Sequence, residues 1–84
     1  MNAELLEKIN SALSDVEALM VGGGANMHSI HRQLMWCRAQ VIGEPSEPKQ
    51  GPLTMSLIAT RELDMWGDNP DLAALISHIQ RAVE

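Results

Sequence analysis

Leu53 to Leu75 reads LTMSLIATRELDMWGDNPDLAAL, and it decides the fold because it holds one helix, a break and the start of another. Pro52, just before it, has no backbone donor and a pre-set φ, which suits the first position of a helix. Met55, Ile58, Ala59 and Leu63 then recur at helical spacing, and Gly67 ends the run. Asn69 followed by Pro70 opens the next helix: the Asn side chain can accept from an orphan amide of the first turn, and proline loses nothing at the following position. Between the two helices, Glu62, Asp64, Asp68 and Asp71 surround Met65 and Trp66, with Arg61 the only basic residue nearby.

Working outward, Leu5, Ile9, Ala12, Leu13, Val16 and Met20 recur at steps of three and four, which predicts a helix over 3–21 with Asn2 as its cap. The opposite face carries Glu4, Glu7, Lys8, Asp15 and Glu17. Gly22, Gly23 and Gly24 break this helix and allow a tight reversal through positive φ. A second helix over 26–42 presents Met27, Ile30, Leu34, Cys37 and Val41, a row spaced like a short coiled-coil seam, and Gly43 ends it. The proline-rich segment 43–51 reads as an extended surface linker. Helices over 52–66 and 70–83 follow, the last with Leu72, Leu75, Ile76, Ile79, Ala82 and Val83 inward. The expectation is an all-α chain: one domain over 1–84, folded as a small antiparallel bundle of four short helices.

Composition points the same way. The 84 residues are 45% hydrophobic, which excludes a disordered chain, and the apolar stock of Leu, Ile, Met and Ala without Phe or Tyr disfavours strands. A formal charge of −5 repels phosphate backbones, so nucleic-acid binding is disfavoured, while a basic partner would be attracted. Cys37 is the only cysteine, so no internal disulfide forms. The acidic start MNAELLEKIN and the lack of any apolar run of about 18 residues predict a cytoplasmic chain with no membrane association.

No residue set points to catalysis. His28 and His31 lie three apart on one helix, but structural zinc wants four ligands and no third type recurs at fitting spacing; they read as solvated, and with Arg32 and Arg38 they make the second helix the only basic one. Gly22 to Gly24 is too short for a phosphate loop and precedes no lysine. We therefore expect no enzyme activity, no metal and no cofactor. Trp36 reads as core. Trp66 differs, since it stands beside Met65 with a carboxylate two residues away on each side; it reads either as a contact residue with a polar rim or as a cap over the bundle's end. Asp68, Asn69 and Asp71 suit a helix start, whereas Glu62 and Asp64 lie near a helix C-terminus, where negative charge is mildly unfavourable. The candidate partner-binding edge is Glu62, Asp64, Met65, Trp66, Asp68 and Asp71.

LTMSLIATRELD followed by NPDLAAL also resembles the small helical immunity proteins that protect bacteria against a type VI secretion effector that degrades NAD(P). The likeness rests on Leu53, Thr54, Ile58, Ala59, Arg61, Glu62, Pro70, Asp71 and Leu72; Ser56 stands where the family has a glycine, and Leu63 where it has an aromatic. It implies an immunity protein, or antitoxin, that docks on a cognate secreted toxin domain and occludes its nucleotide cleft without chemistry of its own. Such a toxin would consume NAD(P) or transfer part of it, as an ADP-ribosyltransferase does. The alternative is a non-catalytic helical adaptor or chaperone that dimerises through Met27, Ile30, Leu34, Cys37 and Val41.

Overall fold

The computed structural model describes residues 3–22, 24–48, 51–65, 67 and 69–84. Among these, helices are the only regular structure: α1 (Ala3–Met20), α2 (Ala25–Ile42), α3 (Met55–Ala59), a π-helical segment (Thr60–Met65) that continues α3, and α4 (Pro70–Val83). None is long and apolar enough to cross a membrane.

Side-chain bonds between neighbours reveal the directions. Arg38 Nε donates to Asn10 Oδ1 (3.1 Å), and His31 Nε2 lies 3.1 Å from Glu17 Oε2, so α1 and α2 run antiparallel. Gln33 meets Thr54 while Asn26 meets Glu62, so α2 and α3 do the same. Ser56 and Ser77 share a 2.7 Å hydroxyl bond between α3 and α4. Helix α4 closes the ring against α1, where Lys8 Nζ lies 3.3 Å from His78 Nε2. The result is the expected antiparallel bundle. Its Cα radius of gyration, 11.9 Å, matches the roughly 12 Å of a close-packed chain this long.

The core is aliphatic. Leu5, Ile9, Ala12, Leu13 and Val16 of α1 pack against Met27, Ile30, Leu34 and Cys37 of α2, Met55, Ala59 and Leu63 of the third column, and Leu72, Ala73, Ile76 and Ile79 of α4. The row on α2 proposed as a dimer seam is thus spent inside the chain, with Val41 half-buried at its end. In α4 the face is rotated slightly from expectation: Ala82 is exposed and Ala73 is buried. An alanine removes too little area from water to fix a helix face from sequence.

One local expectation is corrected, and two others gain detail. The third helix starts at Met55, so Pro52 precedes it rather than occupying its first turn. At its N-cap, Thr54 makes no side-chain cap; Gln33 of α2 reaches across, its Oε1 accepting from Thr54 N (2.8 Å) and Met55 N (2.7 Å), while Gln80 of α4 accepts from Ser56 N (2.9 Å). In the first turn, Gly22 and Gly24 have no positive φ and room for a Cβ; Asn2 and Gly23 lie outside the described residues. Among the described residues, positive φ occurs at Gly43 (75°), the C-cap of α2, and at Gly51 (116°). Lastly, in the expected surface linker, Glu44 to Pro48 is exposed and without regular structure, and it doubles back along α2 and is fastened there.

Gln33→Ala should cost roughly 1–3 kcal/mol of unfolding free energy, because the amides of Thr54 and Met55 lose their acceptor together. Urea denaturation followed by circular dichroism measures this; a loss below about 0.5 kcal/mol would show that water replaces the glutamine.

Candidate functional site

The predicted edge lies at the end of the bundle where the third column gives way to α4. Thr60 Oγ1 donates to the carbonyl of Ser56 (2.9 Å), a bond that competes with the helical ladder at the point where α3 turns into the π segment. The far end of that segment is closed by Asn69 N donating to Leu63 O (2.8 Å). Gly67 is fixed by space rather than by φ, since a Cβ there would stand 2.5 Å from Glu62 O. Asn69 caps α4 as anticipated, its Oδ1 accepting from Leu72 N (3.3 Å), with Pro70 as first residue and Asp71 in the first turn.

On this frame, Met65 is 68% exposed, and Asp64 and Asp71 are exposed beside the same connection. Glu62 is half-buried, and its carboxylate accepts from Asn26 Nδ2 at the start of α2, so it serves the fold as well as the edge. Trp66 and Asp68 lie outside the described residues. The Asn26 bond also puts the turn after α1 at this end, where Val21 is 93% exposed. Leu57 (62% exposed) and Arg61 continue the outer face from Met65 at four-residue steps. Sequence reasoning missed Leu57 and Val21; the signal for Leu57 was its absence from the Met55, Ala59, Leu63 row. The edge therefore offers apolar groups among carboxylates, a surface suited to recognition.

A second constellation went unread in the sequence. Trp36 is half-buried at the rim of the core, and its Nε1–H donates to the carbonyl of Glu47 (2.9 Å). Arg32 grips the Glu47 carboxylate with Nε (2.7 Å) and Nη2. Arg38 Nη1 reaches Glu44 (3.4 Å), and Gln40 donates to Ser46 (2.7 Å). Two shallow clefts, about 270 and 330 Å³, open on either side of this strap, both lined by Arg32, Trp36 and Glu47. The hydrogen bond from Arg32 holds the Glu47 carboxyl below the ordinary carboxylate range. No group of three or more His, Cys, Asp or Glu placed to hold a metal occurs among the described residues; His31 faces Glu17, and His28 is exposed.

No family model, no curated protein and no solved structure matches this chain.

Two outcomes follow from this geometry. Gly67→Ala should destabilise the fold by roughly 1–3 kcal/mol, since the added carbon meets backbone that cannot yield like a side chain; thermal unfolding measures it. Because the Glu47 value is lowered on folding, what its pair with Arg32 contributes is present above about pH 4.5 and lost as pH falls through the folded value. The Trp36 indole N–H resonance should report that release as a low-pH transition, absent in Glu47→Gln.

Proposed function

We propose that this chain is an immunity-type inhibitor: a binding protein that docks the edge from Glu62 to Asp71 against a toxin domain and masks its nucleotide cleft. The observation that carries the reading is Met65, 68% exposed at the end of a π-helical segment and next to the exposed Asp64. π-helical turns are rare and concentrate at functional sites. A thioether is adaptable and polarisable, so on burial it can fill an irregular pocket mouth. Asp64 and Asp71 would supply the rim around it, and Trp66 follows Met65 in the sequence.

Electrostatics supports the same class of partner. A cleft that binds a phosphorylated dinucleotide carries positive potential, and a chain of net charge −5 is drawn to it. The apolar contact would then act mainly on dissociation and the carboxylates on association. The adaptor reading loses its proposed surface, since Met27, Ile30, Leu34 and Cys37 are buried within the chain.

The test is co-expression with a neighbouring secreted toxin that degrades NAD(P), followed by calorimetry on the purified pair. The chain should protect the cell, and Met65→Ala should weaken binding about tenfold or more. Asp64→Asn with Asp71→Asn should slow association several-fold, more so at low salt. Unchanged affinity in all these variants would remove the edge from the interface, and absence of protection would remove the immunity reading.

A further inference from the structure

The strap along α2 has the composition of a ligand rather than of a spacer. Helix α2 contains Arg32 and Arg38 and no acid, in a chain whose net charge is −5. Both arginines are paired with glutamates three residues apart in the segment EPSEP, Arg38 with Glu44 and Arg32 with Glu47. The Trp36 indole donates to a main-chain carbonyl of the same segment. Paired carboxylates on guanidinium groups, together with a backbone carbonyl on an indole, are contacts by which a surface reads an extended acidic peptide.

We propose that the Arg32, Trp36 and Arg38 face of α2 is a docking site for an extended acidic peptide segment of a partner, which the Glu44 to Pro48 strap occupies as a tethered stand-in. The strap's ion pairs lie at the surface, with side-chain exposures of 68% and 39% for Arg32 and Glu47 and 36% and 60% for Arg38 and Glu44. Pairs this exposed hold weakly and exchange with competitors. The clefts on both sides of Glu47 leave room for a longer segment to lie against Trp36 after the strap lifts. Trp36 and Arg38 lie toward the opposite end of α2 from Asn26 and Glu62, so the inference stands independently of the immunity reading.

The test uses the full chain and the peptide acetyl-EPSEP-amide, read by the Trp36 indole N–H resonance, which Trp36→Phe assigns. In the double variant Glu44→Gln, Glu47→Gln the peptide should shift this resonance with an apparent Kd about twofold or more below that in the unaltered chain, where the tethered strap competes at millimolar effective concentration. A peptide with glutamine in place of both glutamates should have no effect, and adding Arg32→Gln should abolish the response. If the double variant loses helicity, Glu47→Gln alone serves for the same titration. No shift up to about 10 mM peptide, equal affinity in both chains, or an equal effect of the glutamine peptide would overturn the proposal. So would a shift that depends on protein concentration without peptide, which would assign the face to a second copy.

Discussion

The arrangement hangs on how three backbone amides at the head of α3 are satisfied. A helix of five residues with no capping side chain of its own presents Thr54, Met55 and Ser56 N–H groups at the bundle's flank. Leaving such donors unpaired away from water costs more than forming an ordinary hydrogen bond gains. Gln33 and Gln80 supply the acceptors, one from each flanking helix, so the third column is clamped between α2 and α4 at a fixed height. Gln33 is itself held by Ser29 Oγ (3.2 Å) and Thr54 Oγ1 (3.0 Å), which leaves its carbonyl oxygen free to face the two amides. Everything downstream inherits that height, including the level at which the π segment ends and Met65 emerges.

The third column begins only part-way along α2, and this accounts for both surface features. Its other half is the strap, which retraces α2 from Gly43 back to the level of Arg32 before Leu53 enters the core. What remains for helix is short, and it has to bury Met55, Ala59 and Leu63 at four-residue steps. In an α-helix each such step drifts by about 40° around the axis. The wider π turn from Thr60 reverses the drift and returns Leu63 to the core face. The same geometry keeps Leu57, Arg61 and Met65 together on the outer face. The exposed methionine is thus a consequence of keeping Leu63 inside.

What was legible in the sequence was whatever depends on near neighbours. Long apolar rows in α1 and α2, the Asn69 cap with Pro70, and the stop at Gly43 are set by residues within a turn or two of each other, and each appears where the pattern places it. The start of α3 was misread at Pro52 because its cap comes from Gln33, about twenty positions away. The surface course of Glu44 to Pro48 was legible in its prolines, but its fastening to α2 was not, because the partner of Glu47 is an arginine fifteen residues earlier. The same limit applies to the edge. Glu62 looked out of place near a helix end, yet Asn26, at the start of a different helix, gives it a partner in the fold.

The two surfaces divide the molecule's charge in a way that bears on what each can meet. With the strap in place, the guanidinium groups of Arg32 and Arg38 are matched by carboxylates, and the chain's net charge of −5 sets the field that reaches solvent. Beyond a Debye length of roughly 8 Å in physiological salt, an approaching partner senses little of individual pairs and responds to the excess, which is negative. A basic cleft is therefore steered toward the molecule, whereas an acidic segment gains nothing from long-range attraction and must compete at contact distance. Salt would then act on the proposed edge chiefly through association, and on exchange at the strap through the local equilibrium between a tethered glutamate and an incoming one.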